Sequence, residues 1–368
     1  YNQALQLAKT DDAGDKELTD LYAGLGRALE LASLYDQALT NYKEMEDLAR
    51  QRNDRPMELV ALMSQATLHS TFTPVHDLAL GQALSNQTLN LAREIGDQPA
   101  EAKILGNLAT LYRFSDRLPQ AIDFSERSLA LARRLNLREQ MAFTLNGLAY
   151  SYWASGRLDR AEETIHEATD LFRELGNLPM VADSLGACTL AYTYAGRYDQ
   201  ARAFSEEAFQ ISQSASNLWG QSYSRAAVGY AYWERGHPDQ AITVMKDSIS
   251  RSELIDFPLP QVITRADLAT VYGGLGDLEH GLETVHLALT IAETQLPLFR
   301  IKALAVLAKI HIMNNNLAEA EAVITQGKND RGRTAIPIFY MLLLIAEGEL
   351  ALKQGDYERA ITLTSNLL

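Results

Sequence analysis

Residues 105–132 read LGNLATLYRFSDRLPQAIDFSERSLALA, and that stretch already describes two helices with a break between them. Leu105, Leu108 and Tyr112 fall at i, i+3 and i+7, which is one face of a helix with about 3.6 residues per turn. A short break follows, and a second helical pattern runs from Gln120 to Ala132. Pro119 sits at the first turn of that second helix, where a missing N–H leaves nothing unsatisfied. No β-type alternation of useful length occurs anywhere in the chain.

The same pattern recurs along the whole sequence. Asp36-Gln37-Ala38, Gly81-Gln82-Ala83, Pro119-Gln120-Ala121, Asp159-Arg160-Ala161, Asp199-Gln200-Ala201, Asp239-Gln240-Ala241, Glu279-His280-Gly281, Ala318-Glu319-Ala320 and Glu358-Arg359-Ala360 align with one another. Their last residues are spaced by 45, 38, 40, 40, 40, 40, 39 and 40 residues. A chain of 368 residues then holds about nine units. The one long interval places an insertion near Thr73-Pro74-Val75-His76-Asp77. Gly156, Gly196, Gly236, Gly276 and Gly355 share one position, the end of a first helix, where glycine adopts a positive φ at no steric cost. Pro56, Pro99, Pro179, Pro258, Pro260, Pro297 and Pro337 are expected between units, and none of the prolines interrupts a helix interior.

The units are expected as one array over residues 1–368: a partial unit at 1–14, then 19–55, 59–98, 102–138, 142–178, 182–218, 222–257, 262–296 and 301–336, and a partial unit at 341–368. Both ends read as interrupted helix pairs. The expectation is a piece of a longer protein, with apolar end surfaces that would stack end to end in self-association.

Composition narrows the function. With 33 basic against 47 acidic residues the net charge is −14, which argues against direct nucleic-acid binding and against anionic membrane surfaces. The chain is 47% hydrophobic, so it cannot remain unfolded in water. A single cysteine excludes a disulfide scaffold and fits a reducing, cytoplasmic setting. No apolar run is long enough for a membrane span, and no signal peptide opens the chain.

Leu148-Ala149, Tyr152, Gly156, Ala161 and Ala168-Thr169 have the offsets of a tetratricopeptide repeat, as do Leu268-Ala269, Tyr272, Gly276, Gly281 and Ala288-Leu289. The sequence resembles the long-repeat class of that superfamily, found in adaptors of the LGN/Pins type, in kinesin light chains and in the sensor arms of MalT-like regulators. The resemblance implies an all-α, right-handed superhelix, an α-solenoid of about nine helix-turn-helix repeats. Small residues at Ala109, Ala149, Gly229, Ala269, Ala308 and Gly348 would let the two helices of a pair approach closely. Thr189 and Arg225 depart from the pattern, at a small-residue site and a leucine site.

Catalytic signatures are missing. There is no phosphate loop, no H-E-x-x-H and no calcium loop. The glycine clusters at Gly24/Gly26 and Gly273/Gly274/Gly276 read as turns or helix ends. His280 and His286 lie six residues apart, which does not put them on one helical face. His311 takes a tyrosine packing site, and Cys188 reads as a small buried hydrophobe. No metal site and no cofactor is expected.

The resemblance implies that first helices line a concave groove. Their inward positions are Asn107, Arg113 and Phe114 in the third unit and Phe143, Asn146, Tyr150 and Trp153 in the fourth. Asp183 and Tyr194 follow in the fifth unit, and Tyr223, Tyr230 and Trp233 in the sixth. Aromatic side chains there would give contact area at low entropic cost, and the Asn side chains would hold an extended backbone. The function this implies is a non-catalytic scaffold for a protein or peptide partner. The alternative is a ligand-sensing arm of a MalT-like regulator with a small-molecule inducer. Trp153 and Trp233 are expected to serve binding rather than stability.

Overall fold

The computed structural model describes residues 2–10, 14–32, 34–71, 75–115, 117–329 and 337–365. Every element among them is helical, and the helices come in antiparallel pairs, the all-α repeat architecture read from the sequence. Residue contacts divide the chain into two compact units, Tyr1–Ser151 and Tyr152–Leu368.

The first unit contains α1 (Asn2–Thr10), α2 (Asp15–Leu31), α3 (Tyr35–Arg52), α4 (Arg55–Ser70), α5 (Leu78–Ile95), α6 (Gln98–Phe114) and α7 (Leu118–Arg134). Helix α8 (Arg138–Ala154) carries the boundary. Leu18, Tyr22, Met45 and Met57 form one buried layer between successive pairs, and Ile104, Leu105, Leu108 and Leu111 form another. Each such side chain contributes about 1.5–3 kcal/mol through removal from water. Asp54 and Asp97 cap α4 and α6 by accepting the Met57 and Ala100 N–H groups. Pro56 and Pro99 lie just inside those caps, in the first helical turn rather than in the preceding turn.

The register needs one correction in this unit. The fourth residue of each second helix is the small buried one: Ala38, Ala121, Ala161, Ala201, Ala241, Ala320 and Ala360. In α5 the fourth residue is Gly81, not Ala83, so the first two intervals become 43 and 40 residues. Of the expected insertion, Thr73 and Pro74 lie outside the described residues. Val75 is tied back, its carbonyl accepting from His69 Nδ1 at 2.8 Å.

The second unit continues with α9 (Leu158–Glu174), α10 (Leu178–Tyr194), α11 (Tyr198–Ser214), α12 (Leu218–Arg225), α13 (Val228–Glu234) and α14 (Pro238–Leu254). It ends with α15 (Pro258–Gly274), α16 (Leu278–Thr294), α17 (Arg300–Met313), α18 (Leu317–Asn329), α19 (Pro337–Gln354) and α20 (Tyr357–Ser365). Successive first helices (α10, α12–α13, α15, α17 and α19) pack side by side along one face. Their partners cover the other side. Ala266, Ala269, Val285, Ala288, Ala303 and Ile310 show the small-against-large packing that lets the helices close up. The shared first-helix terminators Gly156, Gly196, Gly236, Gly276 and Gly355 all have φ between 74° and 83°. The two glycine clusters are close approaches of another kind. A Cβ on Gly26 would lie 2.2 Å from the Tyr42 ring, and one on Gly274 would lie 2.5 Å from the Trp233 indole.

The first helix of the sixth pair is broken, where the repeat leads one to expect a single helix. Ala226 and Ala227 separate α12 from α13. In an unbroken helix the carbonyls of Ser222, Ser224 and Ala226 would accept from the N–H four residues on. Here neighbouring hydroxyls occupy all three. Ser248 Oγ donates to the Ser222 carbonyl at 2.9 Å, Ser205 Oγ to Ser224 at 2.8 Å and Thr264 Oγ1 to Ala226 at 3.1 Å. The Ala226 and Tyr230 amides move one carbonyl along, to Tyr223 and Ala227, both at 3.1 Å. Side chains inserted into the ladder are a recognised cause of helix kinks. Arg225 fits beside the break, its guanidinium 4.1 Å over the Phe209 ring and paired with Glu206 at 2.9 Å. Thr264→Val is expected to cost about 1–3 kcal/mol, because it strips a buried carbonyl of its donor. Urea unfolding checks this, and a loss under about 0.5 kcal/mol would show that the carbonyl needs no hydroxyl.

Candidate recognition site

The first helices of the second unit bring an ion pair and a group of aromatic rings together. Asp267 comes from α15 and Lys302 from the first turn of α17. The two side chains are 3% and 1% exposed, with Lys302 Nζ 2.6 Å from Asp267 Oδ1. Lys302 also donates to the Tyr194 hydroxyl, at the end of α10, across 108 residues of sequence. Its ammonium lies 4.7 Å from the centre of the Tyr194 ring and 5.7 Å from that of Phe339, which is fully buried in the first turn of α19. Trp153 packs against both rings, with centroids 6.3 Å from Tyr194 and 6.2 Å from Phe339.

The local electrostatics follow from burial. Desolvation pushes the Asp267 carboxyl up and the Lys302 ammonium down, and their mutual attraction offsets only part of each shift. Burial, with the Asp267 charge second, holds the Tyr194 phenol well above its usual range, so it stays protonated. Ring faces and a short, desolvated ion pair are strong in such a setting. One polar atom is left over: Asp267 Oδ2 is buried and has no hydrogen-bond partner. Such an atom costs about 1–3 kcal/mol until a donor reaches it.

The residues expected to face a groove fall into several environments. In the first unit, Asn107 donates to Thr67 Oγ1 at 2.9 Å, and the Arg113 guanidinium lies 5.2 Å over the Tyr150 ring. Phe143 is 41% exposed and Asn146 is buried. Phe114 ends α6, and its side chain lies outside the described ones. In the second unit, Trp153 and Tyr194 meet as described, and Asp183 is buried on α10. Tyr230, half-buried on α13, has its phenol pushed up by burial first, then by Glu234 and Asp267. Tyr223 packs elsewhere, against Trp219 and Phe257 at 5.3 and 6.3 Å. Trp233 lies over Gly274 and packs with Met245, Leu268 and Val271.

Lys302, Asp267, Phe299 and Phe339 did not emerge from the sequence, although the register points at two of them. Asp267 occupies the position of Asn107 four repeats on, and Lys302 that of Phe143, Asp183 and Tyr223. Phe339 repeats the position of Phe299, and their centroids are 5.4 Å apart.

Other polar groups serve the fold. Arg173–Glu207 at 2.7 Å links neighbouring pairs and Arg55–Glu94 at 2.6 Å links the two helices of one pair, both at the surface, where each is worth under about 1 kcal/mol. His280 pairs with Asp277 at 2.8 Å, inside the cap of α16. The Cys188 thiol is buried and pushed up to about 12, which keeps it protonated and unreactive at neutral pH. His311 is half-buried on α17, and burial lowers its ring. Among the described residues no group of three or more His, Cys, Asp or Glu is placed to hold a metal ion. No helix among them is long and apolar enough to cross a membrane.

Comparison with known proteins agrees with this architecture. Residues 58–134 and 140–214 match the tetratricopeptide-repeat family. The chain is similar to a Rap protein solved with Competence and Sporulation Factor (TM-score 0.70, 14% identity, 96% of this chain and 97% of that one). It is similar to NprR solved with its cognate peptide NprX (TM-score 0.65, 14% identity, 94% and 99%). BtubC (BKLC) from P. vanneervenii aligns with a shorter part (TM-score 0.51, 20% identity, 60% and 92%). At these identities the likeness is one of fold. No curated protein sequence matches the chain. The repeat spacing, the small-residue packing within each pair and these matches together show tetratricopeptide repeats over residues 58–134 and 140–214, within an all-α repeat fold that continues through the described residues.

Proposed function

We propose that this protein is a non-catalytic recognition module that binds a peptide, or an extended segment of a partner protein, on the first-helix face of its second unit. One observation carries the reading. A buried Lys302–Asp267 pair stands among aromatic rings with a carboxylate oxygen unused. An ion pair of this kind is a poor way to add stability, because desolvation cancels most of the attraction. It is a good way to recognise, since a low-dielectric surround strengthens hydrogen bonds to an incoming backbone. Two proteins of similar fold, the Rap protein and NprR, were solved with peptides bound, which supports the same use here.

Selection of a random peptide display library on the full chain tests the reading, followed by calorimetry and thermal melting with the enriched peptides. The expected result is a family of peptides that bind one per chain and raise the Tm, as a ligand of the native state must. Failure of any peptide to enrich, with a rise in Tm confined to small metabolites, would overturn it.

A further inference from the structure

We propose that Phe339 is the chain's own occupant of a subsite for an aromatic side chain of the bound segment, and that Asp267 Oδ2 receives an N–H of that segment. The proposal rests on the peptide-recognition reading and adds the class of side chain recognised.

The surroundings of Phe339 are those of a ring-binding site. Trp153 and Tyr194 present T-shaped partners at 6.2 and 6.0 Å, and Phe299 a tilted one at 5.4 Å. Edge-to-face contacts of this kind favour an aromatic occupant over an aliphatic one. Lys302 supplies a cation 5.7 Å from the ring centre, which an aliphatic side chain would not use.

Phe339 is also attached in a way that permits exchange. It lies in the first turn of α19, where N–H groups have no acceptor within the helix, so it donates no ladder bond. Withdrawing it unwinds one terminal turn and leaves the body of α19 in place. First turns open at the low end of the range of local unfolding free energies. Further along the same helix Leu343, Ala346, Leu350 and Ala351 are buried and hold the body of α19 on its neighbours, while Met341 and Ile345 face outward.

The orphaned carboxylate oxygen is the second, independent sign. Lys302 saturates Asp267 Oδ1, while Oδ2 is buried without a donor. Phe339 brings a ring to this cluster, but its own N–H does not reach Asp267 Oδ2. A peptide residue brings both: a ring for the place of Phe339 and a backbone amide for Oδ2.

The test uses the full chain with Phe339→Ala and two small probes. N-acetyl-L-phenylalaninamide has a phenyl ring and amide N–H groups; methyl 3-phenylpropanoate has the ring alone. Both are titrated by thermal melting and Trp fluorescence against the variant and the unaltered chain. The expected result is that the amide binds the variant at least about tenfold more tightly than the ester, and more tightly than it binds the unaltered chain. Equal binding of amide and ester would reduce the site to an apolar cavity and overturn the proposal, as would failure of the variant to bind either. If Phe339→Ala does not fold, Phe339→Leu keeps the apolar bulk and removes the ring. A third arm starts from the unaltered chain. A peptide selected on the unaltered chain should speed hydrogen exchange at residues 338–340 while it binds. It should also bind the Phe339 variant at least about tenfold more tightly, because no resident ring has to leave. A selected peptide that binds both chains equally and leaves those amides unchanged would sink the exchange mechanism while leaving peptide recognition intact.

Discussion

Lys302→Met is expected to lower the unfolding free energy by about 3–5 kcal/mol, because it leaves the Asp267 carboxylate buried without its partner. The thioether fills most of the space of the lysine stem, so loss of volume contributes little. Lys302→Met combined with Asp267→Leu is expected to recover most of that loss, since desolvation already outweighs attraction for both groups. The single variant should also acquire a pH dependence of definite sign. A carboxyl raised in the folded state binds more protons there than in the unfolded chain. The variant therefore gains stability as pH falls towards the raised value and loses it as pH rises through it. Urea titrations at several pH values check all of this. A loss within about 1 kcal/mol for Lys302→Met, flat with pH, would mean that Asp267 finds another donor.

Trp153→Ala is expected to cost about 3–5 kcal/mol, the usual range for removing a buried indole from a packed site. Trp153 is 8% exposed and holds its place against Tyr194 and Phe339. The sequence suggested the opposite, a ring free to bind a ligand with little effect on melting. The difference is physical. Tyr194 and Phe339 lie far along the chain from Trp153, and the first helices of the second unit bring them onto the same indole. Chemical unfolding of the variant decides the matter. A loss below about 1 kcal/mol would return Trp153 to the role of a purely exposed binding residue.

The fold was legible because each repeat states it locally. Ala161, Ala201 and Ala241 recur at one spacing, Gly196 and Gly236 end first helices, and Pro119 and Pro238 open second helices. Features that depend on a neighbouring helix were not legible. The break at Ala226–Ala227 is made by the hydroxyls of Ser205, Ser248 and Thr264, and nothing in residues 218–234 announces it. In α5 the tripeptide match falls on Ala83, whereas the buried small position is Gly81, two residues earlier. The candidate site was half legible. Trp153, Tyr194 and Tyr230 were named from the register, but that reading stopped at the sixth unit. Lys302 and Asp267 occupy the same inward positions further along, and a charged pair there only becomes notable once both groups are seen buried.

Hydrogen exchange of the full chain, with and without a selected peptide, tests the central claim most directly. Recognition on the first-helix face predicts slowed exchange in the C-terminal part of α10, in α13, in α15 around Asp267 and in α17 around Lys302. The second helices α9, α11, α14 and α16 should be little changed. Protection confined to those second helices, with α15 and α17 unaltered, would contradict it.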